Sequence, residues 1–186
     1  EWRSWGVTPS AALMTLFAVT LERWARWPSF TLNLTFFNRR PVHPQMSQLI
    51  GDFTSVLLVD FDLGDESRTL RERIEQTQRR LRQVNGVELL RELGRIRGQS
   101  HQPLMPVVFT SMLGMTLDGL DIDQAMTSLL GDPVHVFTQT PQVWLDHQVM
   151  EIDGELVFSW YCMDEVLAEG AAQAMFRDFH AVLKAV

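Results

Sequence analysis

A helical period of apolar residues opens the chain. Apolar side chains recur at steps of three and four over residues 11–27, which predicts a helix with one broad buried face. Thr8 can cap its N-terminus, and Pro9 suits the first helical position because its missing N–H is harmless there. Pro28 is expected to end the helix.

Further periodic segments predict helices and strands in alternation along the chain. Charged amphipathic patterns predict helices over residues 67–84, 87–96 and 168–185. Segments rich in strand formers predict strands over residues 30–37, 53–61, 107–110, 134–138, 143–152 and 156–160. The second of these contains a continuous apolar run at residues 56–59, which predicts a central strand buried on both faces. Residues 114–133 are expected to form a long loop.

Asp153-Gly154 is a strong hairpin signal and fixes a strand register. If these two residues form the turn, Ile152 pairs with Glu155, and counting back places Asp146 opposite Tyr161 on the same face. By alternation, Trp144, Gln148 and Met150 share that face, whereas His147 points to the opposite one. A carboxylate among such neighbours is partly desolvated, which raises its pKa towards values useful for proton transfer. Asp146 is therefore a candidate acid or base, with a strand-end cap or an ion pair as the structural alternative.

The alternation of helices and strands, with one antiparallel hairpin, predicts an α/β fold in which helices cover a mixed β-sheet. The 186 residues fit one domain or one lobe of a larger one. No apolar run is long enough for a membrane span, and no export signal is visible, so we expect an aqueous, cytoplasmic setting.

Charge and cysteine content exclude several functions. A net charge of −7 disfavours nucleic-acid binding, and the arginines between Arg68 and Arg82 are interleaved with glutamates as on a solvated helix face. The single cysteine, Cys162, excludes an internal disulfide and a multi-cysteine zinc site. The five histidines lack metal-ligand spacing, so we expect no metal.

Four segments in order resemble signatures of heterocyclization domains, the ring-forming branch of the condensation domains of nonribosomal peptide synthetases. They are TPSAAL through LERW at residues 8–24, GDFTSVLL at 51–58, PVVFTSMLG at 106–114 and TQTPQVWLD at 138–146. The family's aspartate-rich signature lies in its N-terminal half and is not found here. The resemblance therefore implies that residues 1–186 are the C-terminal lobe of a chloramphenicol-acetyltransferase-like, two-lobed fold.

The resemblance also implies an activity and its partners. The intact domain is expected to condense a carrier-bound acyl or peptidyl thioester with carrier-bound cysteine, serine or threonine, and to cyclize the amide to a thiazoline or oxazoline. The expected partners are the N-terminal lobe, the upstream and downstream carrier proteins, and an adenylation domain. Phosphopantetheine arms bring the substrates, so we expect no cofactor bound to this lobe. The chain resembles most the heterocyclization domains of thiazoline siderophore synthetases, which favours cysteine as the cyclized residue.

Within the signatures, Thr110 and Asp146 are the predicted catalytic pair. Thr110 follows a buried strand, and a hydroxyl there can donate to a carboxylate while accepting from a nucleophile. A hydrogen bond to backbone is the structural alternative. Gln142, Ser111 and Trp144 are predicted to contact substrate, although Gln142 could equally satisfy backbone beside Pro141.

The sequence alone does not exclude other functions. The lobe could be a non-catalytic docking module for carrier proteins, or part of an amide-forming condensation domain or acyltransferase of the same fold. Aspartates or paired histidines in the missing half would distinguish ring formation from amide formation. In any of these cases we expect the isolated lobe to be inactive.

Overall fold

The fold is taken from a computed structural model that describes most of the chain. The described residues are 2–82, 86–98, 103–114, 116–117, 120–121, 128–129, 131, 134, 138, 140–152 and 154–186. Their helices are α1 (Pro9–Glu22), α2 (Leu70–Leu81), α3 (Gly86–Arg97) and α4 (Ala171–Lys184), with 3-10 turns at Trp2–Trp5 and Met46–Gln48. Their strands are β1 (Ser29–Phe37), β2 (Thr54–Asp62), β3 (Val107–Ser111), β4 (Thr116–Leu117), β5 (Leu120–Asp121), β6 (Leu145–Ile152) and β7 (Glu155–Cys162).

Helix α1 begins as predicted but ends earlier. The Thr8 hydroxyl accepts the Ala11 N–H at 3.2 Å, and Pro9 occupies the first turn. The helix ends at Glu22 rather than near residue 27, because the following residues pack against little: Trp24 is 44% exposed and Trp27 is 65% exposed. The residue before a proline also disfavours helical geometry.

Helix α1 is buried on nearly all sides, not on one face alone. Its side chains from residue 11 to residue 18 are inaccessible to solvent. It packs against α2 and α4 and against the sheet below them. An almost uniformly apolar helix requires this central position, since any exposed side would leave apolar surface in water.

Five strands form one mixed sheet in the order β2-β1-β3-β6-β7. The inner pairs β1–β3 and β3–β6 are parallel, and the outer pairs β1–β2 and β6–β7 are antiparallel. The predicted α/β fold with a mixed sheet is confirmed. Helices α1, α2 and α4 form the layer on one face.

The predicted central position of β2 is wrong, because β2 lies at an edge of this sheet. Leu58 and Val59 of its apolar run are nonetheless buried, and Val56 and Leu57 are half-buried. Val59 and Phe61 point into the core beneath α1, whereas Val56 faces the other side and lines a cavity together with Leu90 of α3. The apolar run is therefore explained by helices that lie near both faces of β2, although β2 is an edge strand.

The predicted hairpin register of β6 and β7 is confirmed: Ile152 pairs with Glu155, and Asp146 pairs with Tyr161. Gly154 has a φ of +80°, which glycine adopts without strain. Asp153 lies outside the described residues. The register fixes which side chains of β6 face the helices and which face away from them.

Several smaller predictions need correction. Helix α2 begins after Thr69, which forms a capping box with Glu72, rather than at Ser67. Of the strand predicted over residues 134–138, Val134 and Thr138 are described and neither is in a strand. Within the predicted loop 114–133, β4 and β5 form a short antiparallel pair, and most of its other residues lie outside the described ones. Among the described helices, none combines the length and apolarity needed to cross a membrane.

Candidate functional site

The sheet face opposite the helix layer carries two cross-strand rows of side chains. Strand register aligns one row across β1, β3, β6 and β7: Asn33, Val108, Asp146 and Tyr161. It aligns a second row beside the first: Thr35, Thr110, Gln148 and Ser159. Most of these residues are polar, whereas their neighbours on the other face belong to the apolar core. The face is therefore built to present polar groups.

Asp146 is the second residue of β6, lies on this face and is only 6% exposed. The Thr110 hydroxyl donates to its Oδ1 at 3.3 Å, and the Gln148 Nε2 donates to its Oδ2 at 2.7 Å. The structure thus brings together Asp146 and Thr110, the two predicted catalytic residues. Their closeness follows from the register, because Asp146 pairs with Val108 and is diagonal to Thr110 across β3 and β6.

Burial sets the proton affinity of Asp146. Desolvation raises the pKa of its carboxyl above the ordinary value, and the hydrogen bonds from Gln148 and Thr110 offset part of that rise by favouring the charged form. A carboxyl with a raised pKa keeps its proton more readily and can give it to a reacting group. The site can therefore act in proton transfer.

Two open cavities meet at Asp146. The larger, of about 520 Å³, extends over β1 and β3 to Leu90, and the smaller, of about 340 Å³, extends towards the end of β7 at Tyr161 and Cys162. Both are bordered by the segment Thr140, Pro141, Gln142 and Val143. Cavities of this size accommodate small-molecule groups.

Gln142, a predicted substrate contact, borders both cavities and has an unusual backbone. Its φ is +66°, and the Val143 N–H donates to the Thr140 carbonyl at 3.3 Å, so residues 140–143 form a tight turn with Pro141 at its second position. Glycine or asparagine is the usual residue where Gln142 stands, and a glutamine costs about 1–2 kcal/mol there. Backbone strain beside a cavity favours a role for this side chain in the site.

Ser111 and Trp144, the other predicted substrate contacts, are placed differently. Ser111 exchanges a hydrogen bond of 2.8 Å with Ser10 in the first turn of α1, so its hydroxyl faces the helix layer. Trp144 precedes β6, and neither it nor Ser111 is among the residues that line the two cavities. Their contact with substrate stays a prediction.

His147 lies behind Asp146, on the core face of β6, as the alternation predicted. It is fully buried among Phe17, Phe109, Phe179 and Trp160, whose indole donates to its Nδ1 at 2.6 Å. Desolvation lowers the pKa of this imidazole to about 3. His147 is thus neutral and separated from the cavities by the sheet.

Sequence reasoning did not assign a role to two further residues of this face. Gln148 was placed on the face of Asp146 by alternation, but its hydrogen bond to the carboxylate depends on side-chain torsions that alternation does not fix. Asn33 lines the larger cavity, and its buried Oδ1 has no hydrogen-bond partner among the described residues. Such an acceptor is available to a substrate N–H.

The described residues contain no group of three or more His, Cys, Asp or Glu side chains that could hold a metal ion. Cys162 is a half-buried free thiol, and burial together with the nearby charge of Asp164 raises its pKa.

Known proteins resemble this chain over nearly its whole length. Pyochelin synthetase PchF of Pseudomonas aeruginosa is 42% identical over 96% of the chain, and phenyloxazoline synthase MbtB of Mycobacterium tuberculosis is 41% identical over 94% of it. The chain spans only 10% and 12% of the lengths of these two proteins. No protein-family model matches the chain.

A solved structure shares the fold as well as the sequence. The cyclization-docking bidomain of the nonribosomal peptide synthetase EpoB from Sorangium cellulosum matches with a TM-score of 0.84 and 36% identity. The match covers 98% of this chain and 37% of the bidomain. The relatives are thus larger, multidomain proteins in which a segment like this one is a part.

Proposed function

Because the chain belongs to the heterocyclization-domain family of nonribosomal peptide synthetases, we propose that it is the C-terminal lobe of such a domain and carries the acid–base group of ring formation. The observation that supports this is the Asp146 carboxylate, nearly buried, hydrogen-bonded to Thr110 and situated where two cavities meet. Two relatives have names that describe ring formation, a phenyloxazoline synthase and a cyclization domain, and these names favour a heterocyclic product such as an oxazoline or thiazoline.

The proposed reaction begins with amide formation. The amine of a carrier-bound cysteine, serine or threonine attacks the upstream thioester and releases the upstream pantetheine thiol. The side-chain thiol or hydroxyl then adds to the amide carbon, which leaves a tetrahedral intermediate that bears a hydroxyl group. Holding two tethered reactants in one cleft supplies much of the rate for both additions.

Asp146 is proposed to complete the ring by moving protons. Its acid form donates a proton to the hydroxyl of the intermediate, which departs as water while the C=N bond forms. The resulting carboxylate accepts the proton from the ring nitrogen, so the residue ends in its starting state. Thr110 orients the carboxyl through its hydrogen bond to Oδ1. The raised pKa of Asp146 suits this role.

The proposed partners are the N-terminal lobe, two carrier proteins and an adenylation domain of the same synthetase. Both substrates arrive on phosphopantetheine arms, and the lobe contributes protein side chains alone. The proposed setting is the reducing cytoplasm, where Cys162 stays a thiol.

Replacing Asp146 with asparagine in the complete synthetase tests the proposal. The asparagine keeps the shape of the side chain but cannot give and take a proton, so we expect uncyclized amide to accumulate and ring product to fall by about 100-fold or more. Mass spectrometry of the carrier-bound product measures both species. Glu151→Gln, at an exposed position of the same strand, is the matched control. Ring formation at the wild-type rate in Asp146→Asn would overturn the proposal.

A further inference from the structure

Gln148 is the closest hydrogen-bond donor to the Asp146 carboxylate among the described residues. Its Nε2 lies 2.7 Å from Oδ2 of Asp146 and 3.4 Å from the Thr138 hydroxyl. The side chain is only 9% exposed, so little water competes for the amide. A hydrogen bond between a buried amide and a carboxylate is of the strong, charge-assisted kind.

Two anchors from different strands hold the carboxylate. Thr110 of β3 contacts Oδ1, and Gln148, two residues beyond Asp146 on β6, contacts Oδ2. β6 is itself paired on both sides, with β3 and β7, so the backbone beneath Gln148 is fixed. With one contact on each oxygen, the carboxyl group cannot rotate freely about its terminal torsion.

We infer that Gln148 is a positioning residue for the ring-forming step: it anchors Oδ2 of Asp146, so that Oδ1, which has only the longer 3.3 Å contact with Thr110, is left to exchange the proton. This inference rests on the proposed function. An amide suits the task because it serves both protonation states of its partner. Its NH₂ donates to the carboxylate, and after a 180° flip its carbonyl accepts from the carboxylic acid. The support therefore persists while Asp146 gives up and regains a proton.

The surroundings of Asp146 leave few other groups to tune it. On the same face, β7 contributes the titratable phenol of Tyr161, and β3 contributes Val108 and Thr110, which carry no charge. Cys162 lines the smaller cavity, and His147 lies on the opposite face of the sheet. The Gln148 amide is thus the strongest of the described contacts that favour the charged form of Asp146.

Two variants of the complete synthetase test this inference. Gln148→Met keeps the length of the side chain but removes the amide, and we expect the ratio of ring to uncyclized amide to fall about tenfold. The pH dependence of ring formation should also shift upwards, since Asp146 loses a contact that favours its charged form. Gln148→Glu places a second carboxyl against the first, so its upward shift should be larger. Amide formation should fall by less than ring formation in both variants, because the Asp146 carboxyl acts in the ring-forming step.

Glu155→Gln is the matched control, since Glu155 is an exposed residue of the neighbouring strand β7 and lines neither cavity. The inference would be overturned if both Gln148 variants showed the pH dependence and product ratio of the wild type. It would also be overturned by an equal loss of amide and ring, because that result indicates a merely structural role. Asp146→Asn in the same assay separates the two proposals. If that variant still forms rings, the proposed function fails; if it does not but Gln148→Met behaves as wild type, only the positioning role fails.

Discussion

Asp146 and His147 are adjacent in the sequence, yet they lie in opposite environments because a strand alternates its side chains between two faces. Asp146 faces the cavities with two hydrogen-bond partners, and His147 faces an aromatic core where its Nε2 has no partner among the described residues. Burial raises the pKa of the acid and lowers that of the base, so both groups are driven towards their neutral forms.

The buried His147 should make the protein sensitive to acid. Its pKa is about 3 in the folded state and about 6.5 in the unfolded state, so the unfolded chain binds the extra proton between these values. The free energy of unfolding is therefore unaffected by this group above pH 6.5 and falls as the pH drops towards 3. Denaturant unfolding at pH 7.5 and pH 5 measures the loss, which we expect to be about 2 kcal/mol from this residue.

His147→Phe isolates that effect, because it removes the imidazole, keeps an aromatic ring in the cluster and leaves every other titratable side chain in place. The variant should lose less stability between the two pH values than the wild type does. An equal loss in both proteins would show that His147 does not cause the acid sensitivity. The Trp160 indole loses its acceptor, which lowers stability by a similar amount at either pH.

The hairpin predicted where Asp146 lies, and the family resemblance paired it with Thr110, whereas the role of Gln148 was not predicted. A hairpin turn of two residues fixes the register, and the register fixes which side chains share a face. Hydrogen bonds within that face depend on torsions and on neighbouring strands. For the same reason the hydrogen bond between Ser111 and Ser10 was not predicted, since the two serines are 101 positions apart in the chain.

At the scale of elements, local signals predicted boundaries best where a cap or turn residue carried them. Thr8-Pro9 predicted the start of α1, and the hairpin signal before Glu155 predicted the register of β6 and β7. The place of a strand within the sheet is not a local property. The apolar run of β2 indicates burial correctly, but helices rather than strands supply part of its cover.

A buried threonine pair joins α1 to α2 and offers a test of that packing. The Thr15 hydroxyl donates to the Thr77 hydroxyl at 2.8 Å, and the Thr77 hydroxyl donates to the Arg73 carbonyl at 3.1 Å. The Ala11 carbonyl, 2.8 Å from the Thr15 hydroxyl, is an alternative acceptor for Thr15. Valine has the same shape without the hydroxyl. We expect Thr15→Val and Thr77→Val each to lower the free energy of unfolding by about 1 kcal/mol.

The double variant should lose less than the sum of the two single variants, because no hydroxyl is then left without its partner. A coupling of about 1 kcal/mol in the double-mutant cycle, measured by denaturant unfolding, would show that the two hydroxyls interact directly. Strict additivity would indicate that the intrahelical carbonyl contacts are sufficient for each threonine.

At the scale of the whole molecule, the two faces of the sheet differ in kind. One face is closed by α1, α2 and α4 over a continuous apolar core. The other presents polar rows and two open cavities that meet at Asp146. In the EpoB bidomain, a segment like this chain makes up 37% of the structure, so further protein accompanies it there. Composition and periodicity predict the helix-covered face well, because its side chains are apolar and buried. They do not show which protein surface covers the face that carries the cavities.

This asymmetry leads us to propose that residues 1–186 alone do not form rings. Both reactants must be held together, and an open cavity leaves the tethered substrates and the Asp146 carboxyl in contact with water. Incubating the isolated chain with both loaded carrier proteins should give neither amide nor ring by mass spectrometry, while the complete synthetase gives ring product. Near-ultraviolet circular dichroism of the isolated chain serves as the control for folding, since its aromatic core should give a signal. Ring product from the folded chain alone would show that this face, with Asp146 and Thr110, is sufficient for the chemistry.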